Sequence, residues 1–309
     1  MALVFLGTSA FAAGVLEHLA GGPHRPALVL TRPDRPRGRG RRPAPPPVAE
    51  RAAALDLALA QPESVNGDEA RALIAQAGGG GGEADGRQTV VVCAFGALIT
   101  EPLLSDHELI NVHPSLLPRW RGAAPVERAI MAGDAETGVS IMRLTAGLDS
   151  GPVALAASEP IRPGDDYGSL SLRLVDVSGR LLDEVLAKRP AFADQREDGV
   201  RYAEKITAQD RTLDPARPAV ELERAVRALH PHIGARVALA DGTMLGVHRA
   251  RVADGAGSDA SGPGVHAADG RLLLACSPGT LELVEVQPPG GRAMDAAAYL
   301  RGHAAPGRL

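Results

Sequence analysis

The chain has 309 residues, 45% of them hydrophobic and only 3% aromatic, with a net charge of −4. That length suits two domains of about 100–200 residues each, and the charge excludes a bulk polycation, so a nucleic-acid partner would have to meet a local patch. The two distant cysteines, Cys93 and Cys276, match no metal, redox or disulfide spacing, and no apolar run reaches the roughly 18–20 residues that span a bilayer.

In chain order, "ALVFLG" at 2–7 is the first expected strand, closed by Gly7, Thr8 and Ser9. It lacks the charged start and cleavage site of a signal peptide, so a reducing cytoplasm is the expected location. Helical spacing follows over 10–20, with Ser9 as its N-cap. A strand is expected at 27–31, a helix at 47–59 with Pro47 in its first turn, and a helix at 68–77. "GGGGGEADG" at 78–86 reads as a surface insertion. "TVVVCAFG" at 89–96 is the most strand-like run, and β-branched residues without alternation imply burial on both faces. A strand at 109–113, a helix at 125–133 and a long amphipathic helix at 165–187 complete the first half. The alternation predicts an α/β fold, a doubly wound (Rossmann-like) domain with a mostly parallel sheet. One glycine in "GTSAF" is weak support for a dinucleotide fingerprint.

Residues 189–217 lack periodicity and read as a linker. After a helix at 218–229, five short strands separated by Gly and Asp turns predict a small β-barrel or sandwich. The expected division is 1–188, 189–217 and 218–309.

"NVHPSLLPRWRGAAP" at 111–125 carries the chemistry. Residues two apart on a strand share a face, so Asn111 and His113 look the same way at the carboxyl end of a parallel strand, where open α/β sheets bind ligands. Asn donates to a developing oxyanion, and an imidazole carries a proton near neutral pH. An isolated Asn-x-His is more often structural. Pro114, Pro118, Gly122 and Pro125 add a restricted loop, and "AGLDSGPV" places Asp149 in a Gly-bracketed turn, where an acid would orient His113.

The run "NVHPSLLPRWRGAAPVERAIMAGDAETGVSIMRLTAGLDSG" closely resembles the formyltransferases that use 10-formyltetrahydrofolate. The likeness covers most of the chain, including "FLGTSAFAAGVL", "VVVCAFGALI" and "YAEKIT". It implies a formyltransferase domain followed by an OB-like barrel that contacts tRNA. It implies catalysis by Asn111, His113 and Asp149, and folate binding by Ser115, Leu116, Leu117, Pro118, Phe95 and Gly96. Pro114 stands where many members have Gly, and Phe95 where a Tyr is common. Attack by a neutral amine on the formyl group makes an oxyanion. Asn111 and protonated His113 would stabilise it, and Asp149 would keep His113 charged and help move the amine's proton. No metal is expected.

"RPDRPRGRGRR" at 32–42 holds six arginines and one acid. Such runs are usually a solvated face. This one follows a parallel strand, Gly38 and Gly40 make it mobile, and it resembles the basic loop by which one branch of the family meets a tRNA acceptor end. Arg35, Arg37, Arg39, Arg41 and Arg42 are therefore the expected tRNA contacts, with methionyl initiator tRNA as acceptor, no membrane and a monomeric enzyme. Trp120 would stack on a nucleobase or pack on the domain. From residue 191 onward, 14 Lys and Arg oppose 15 Asp and Glu, a net of −1, so the barrel is not globally basic. Three alternatives remain open: formyl transfer to a small amine such as a nucleotide or amino sugar, hydrolysis of the folate, and an RNA-binding protein with a dead α/β domain.

Overall fold

A computed structural model describes residues 2–37, 42–77, 87–253 and 264–303 of the chain. The 78–86 insertion lies outside the described residues. The elements of the first half are β1 (Leu3–Gly7), α1 (Ala10–Gly21), β2 (Pro26–Leu30), β3 (Arg35–Arg37), β4 (Arg42–Ala44), α2 (Pro47–Ala54), β5 (Leu59–Ala60), α3 (Asp68–Ala77), β6 (Thr89–Cys93), α4 (Leu103–Asp106) and β7 (Glu108–His113). There follow β8 (Arg121–Gly122), α5 (Pro125–Ala132), β9 (Glu136–Arg143), β10 (Val153–Pro160), α6 (Tyr167–Lys188) and β11 (Tyr202–Ala203). The last third holds α7 (Ala219–Leu229), β12 (Ala235–Ala238), β13 (Met244–Val252), β14 (Gly264–Ala268), β15 (Arg271–Ala275), β16 (Thr280–Gln287), β17 (Met294–Asp295) and α8 (Ala296–Gly302).

The chain forms two compact units. One comprises Met1–Gly122, Thr137–Glu159 and Ser171–Tyr202; the other comprises Ala123–Glu136, Pro160–Leu170 and Ala203–Leu309.

The first unit is built on a seven-stranded sheet in the order β10-β9-β7-β6-β1-β2-β5. From β5 to β7 neighbouring strands run parallel, and β9 joins β7 antiparallel. Val4, Leu6, Val90, Val92 and Leu109 share one core cluster with Ala70 and Ile74 of α3. The alternate residues Phe5, Val91 and Ile110 are fully buried too. Burial on both sides is why β1 and β6 read as continuous apolar runs. Helix α1 starts where the Ser9 hydroxyl accepts from the Ala12 N–H (3.2 Å), the expected cap. A Cβ at Gly14 would come within 2.9 Å of Val175, so α1 and α6 pack closely, and His18 bonds Asp183 there at 2.8 Å.

Two expectations are corrected. The helix expected over 47–59 stops at Ala54, because Asp56 is left-handed (φ 52°) and the Leu57 N–H turns back to the Ala52 carbonyl. Leu59 and Ala60 then join the sheet edge beside β2. The antiparallel strands β9 and β10 were not expected. Alternating half-burial along β10 marks it as an edge strand, whose small Ala and Ser residues give a weak apolar signal.

In the second unit the strands follow the order β12-β13-β16-β15-β14, with β17 beside β16. All pairs are antiparallel. β12 approaches β14 without pairing with it, so the expected barrel is a curled half-barrel. Leu222, Val226 and Leu229 of α7 and Tyr299 of α8 pack on its apolar face with Val247, Leu272 and Leu283. His230 and His232, just after α7, bond Asp166 and Glu127, each at 2.9 Å.

Also in this unit, Arg128 of α5 grips Asp210 (2.7 and 3.2 Å), holding its carboxyl down at about 2. A depressed carboxylate contributes stability above its unfolded value of 3.8, lost as pH falls through the folded value. Asp210→Asn is therefore expected to cost about 1 kcal/mol near pH 7 and to remove that part of the acid destabilisation below about pH 4. Thermal melts across pH 2–7 test this; parallel wild-type and variant curves would refute it.

Candidate active site

β7 is parallel to β6 on one side and antiparallel to β9 on the other. Leu109, Asn111 and His113 alternate onto a single face. Leu109 belongs to the apolar cluster, so the row turns polar toward the carboxyl end of the strand. Asn111 is only 8% exposed and His113 4%. Among the described residues no side-chain hydrogen bond is made by Asn111. Its amide is not among the sealed polar atoms that lack a partner, so it opens to solvent and can meet a ligand.

Both nitrogens of the His113 ring are faced. Nε2 lies 2.8 Å from the Trp120 carbonyl. A carbonyl only accepts, so Nε2 carries a proton and donates. Nδ1 lies 3.6 Å from Asp149 Oδ2, and the Gly122 N–H donates to the same oxygen at 2.8 Å. Trp120 (φ 66°) and Asp149 (φ 44°) both occupy the left-handed region. Such backbone costs about 1–3 kcal/mol per residue and persists where its surroundings over-determine it. The two strained residues thus present their oxygens to the two edges of one imidazole.

The loop after β7 is built from its own polar groups. The Ser115 hydroxyl donates to the Arg119 carbonyl (2.7 Å), the Ser140 hydroxyl to the Ser115 carbonyl (2.8 Å), and the Leu117 N–H to Ser140 Oγ (3.1 Å). Ser115 is fully buried, whereas Leu116, Leu117 and Pro118 are half-buried. A Cβ at Gly138 would lie 2.6 Å from Leu116 Cδ2, so that leucine packs directly on β9. Phe95 is buried in the core cluster with Val92 and Leu30, while Gly96 is exposed and accepts from Arg32 through its carbonyl (2.8 Å). Trp120 is half-buried and carries the Arg119 guanidinium 4.6 Å from its ring centre.

The arginine run forms a hairpin rather than a plain loop. β3 and β4 pair antiparallel, with Arg35 opposite Ala44, Pro36 opposite Pro43 and Arg37 opposite Arg42. Arg35 is exposed. Arg39 and Arg41, with both glycines, lie outside the described residues. Arg32 is tied back to Gly96 and is not part of a free cationic row.

Sequence reasoning missed the Trp120 carbonyl and Gln195. A backbone oxygen has no sequence signature, and Gln195 lies in the stretch read as a linker. Burial pushes the Cys93 thiol far up and Cys276 up to about 11, so neither offers a thiolate at neutral pH. Among the described residues, no cluster of three His, Cys, Asp or Glu is placed to hold a metal ion, and no helix is long and apolar enough to cross a membrane.

Residues 1–186 match the formyl transferase family and residues 205–304 match the formyl transferase C-terminal domain. Methionyl-tRNA formyltransferase of Dinoroseobacter shibae is 43% identical over 317 residues, covering 100% of both chains. Among solved structures, methionyl-tRNA formyltransferase from Clostridium thermocellum aligns with a TM-score of 0.58 at 13% identity, over 82% of this chain and 95% of that one. HypX from Aquifex aeolicus, in complex with tetrahydrofolic acid, aligns with a TM-score of 0.62 at 15% identity, over 97% of this chain and 47% of that one. At these identities the two structures show a shared fold. The matches along the whole chain, over a strand that ends in a buried Asn-x-His, place it in the formyl transferase family, as a formyl-transferring enzyme.

Proposed function

We propose that this enzyme transfers the formyl group of 10-formyltetrahydrofolate to the α-amino group of methionyl initiator tRNA, in support of translation initiation. The observation that carries the chemistry is the Asn111 amide, without a partner among the described residues, on the same strand face as the His113 that pairs with Asp149. The acceptor is supported by a full-length relative that bears the name methionyl-tRNA formyltransferase.

The residues fit a formyl-bearing folate. An N–H donor that has no protein partner among the described residues meets the need of a carbonyl oxygen that gains charge. The half-buried Leu116, Leu117 and Pro118, together with Ser115, Phe95 and Gly96, bind the folate. The folate supplies an activated formyl carbon. Asn111 donates to the formyl oxygen as charge builds on it. An α-amino group loses its proton near pH 7.7–8.0, so a weak base suffices. The His113–Asp149 pair takes the proton released by the attacking amine and returns it to the folate nitrogen that leaves. Trp120 keeps the imidazole fixed by holding Nε2–H, so His113 donates to the oxyanion only by turning from that carbonyl.

The arginine hairpin, through Arg35, Arg37, Arg39, Arg41 and Arg42, contacts tRNA phosphates, and one face of the half-barrel makes a second contact. The enzyme acts as a monomer in the cytoplasm and without a metal. The test is transfer of labelled formyl from 10-formyltetrahydrofolate to purified methionyl initiator tRNA. Formyl-methionyl-tRNA is the expected product. Release of formate, or formylation of an added nucleotide or amino sugar with the tRNA untouched, would overturn the acceptor.

A further inference from the structure

Asp149 reaches His113 from a strained turn, so something must hold that turn. Gly122 fixes its carboxylate. Its backbone is fixed by one side chain: Gln195 Nε2 donates to the Asp149 carbonyl at 2.7 Å and to the Gly151 carbonyl at 2.8 Å. The same amide turns its oxygen to Arg121, whose Nε donates to Gln195 Oε1 at 3.0 Å. Arg121 is 5% exposed, and its Nη2 has no hydrogen-bond partner among the described residues. Gly122, the next residue, is the one that holds the Asp149 carboxylate. The contacts therefore close a ring from Asp149 Oδ2 through residues 122 and 121 to Gln195 and back to the Asp149 carbonyl.

Register explains why Gln195 can do this. Ala193 and Val153 exchange both backbone hydrogen bonds (2.8 and 2.9 Å). In antiparallel pairing, two residues beyond 193 lie opposite two residues before 153. Gln195 is thus delivered to Gly151. The turn cannot slide away on its other side, because a Cβ at Gly151 would sit 2.0 Å from the Arg143 carbonyl. The stretch after α6 therefore works first as a brace of the catalytic turn.

We propose that Gln195, oriented by Arg121, is a positioning residue for formyl transfer: it holds Asp149 in its left-handed conformation and so keeps the carboxylate against His113. The proposal rests on the catalytic pair assigned above. Gln195→Glu is the sharpest variant, because it keeps the shape and the bond from Arg121 but sets an oxygen against two carbonyls. Gln195→Ala removes the brace outright.

The experiment measures kcat and KM for formyl transfer to methionyl initiator tRNA. The variants are Gln195→Glu and Gln195→Ala, each alone and with Asp149→Ala. A loss of kcat of about 10–100-fold is expected, with KM for both substrates within about twofold and folding checked by thermal melting. On the Asp149→Ala background Gln195→Ala should add nothing, because the two act as one unit. A second readout needs no substrate: the ring nitrogen signals of His113 in NMR spectra at fixed pH should move the same way in Gln195→Ala as in Asp149→Ala. Inactive wild type would refute the acceptor assignment and leave the NMR comparison to decide the brace. Active wild type with unchanged kcat in both variants, additive losses on the Asp149→Ala background, or an unmoved His113 signal would overturn the proposal.

Discussion

Replacing His113 by alanine is expected to lower kcat for formyl transfer by about 10²–10⁴-fold, and replacing Asn111 by alanine by about 10²–10³-fold. KM for either substrate should change little. Both side chains lie on a strand buried at the middle of a sheet, so neither is free to serve as a surface contact for a large acceptor. Their effects should therefore fall on the reacting atoms. Asn111→Asp tests the direction of the hydrogen bond, since it keeps the size and replaces a donor by an acceptor. It should lose at least as much as Asn111→Ala. Single-turnover measurements with saturating folate and tRNA separate the chemical step from binding. If either alanine variant lost activity through KM alone, its place in the chemistry would be wrong.

Changing Arg35, Arg37, Arg39, Arg41 and Arg42 together to alanine should raise KM for the tRNA strongly and leave transfer at saturating tRNA close to wild type. The effect is electrostatic, so it carries a signature. The dependence of log affinity on log salt should flatten by about 0.7–0.9 for each phosphate that is no longer neutralised. Binding of the variant and the wild type across salt concentrations checks this directly. A steep slope retained by the variant would return the run to a solvated face and shift the search to the half-barrel. No described bond or strand pairing of the arginine hairpin involves His113 or Asn111, so the two sets of substitutions should combine independently.

The parallel core was legible because both faces are buried. Continuous Val and Leu runs at β1 and β6 have no other economical reading, and Ser9 announced the start of α1. β9 and β10 were not legible. β10 is an edge strand with one side in solvent, and its small residues carry little apolar signal. Asn111, His113 and Asp149 could be singled out only through the family resemblance of the run around them, since an isolated Asn-x-His is more often structural. The geometry among them could not. The 3.6 Å approach of Asp149 to His113 depends on backbone conformation at Asp149 and Trp120, where a non-glycine residue with positive φ gives no warning in the sequence. Gln195 was hidden for a similar reason: its role follows from strand register with Val153, which aperiodic sequence does not reveal.

The prolines of the arginine hairpin have a consequence of their own. Pro36 and Pro43 face one another across β3 and β4. Neither has an N–H, so the bonds of that hairpin must be made by the pairs on either side, and the missing donors fall on its two outer edges. An exposed two-stranded ribbon is normally a template on which another strand can grow. Here the template is blunted on both sides. If the run meets a polyanion as proposed, these paired prolines let it do so while offering a neighbouring strand fewer donors to pair with.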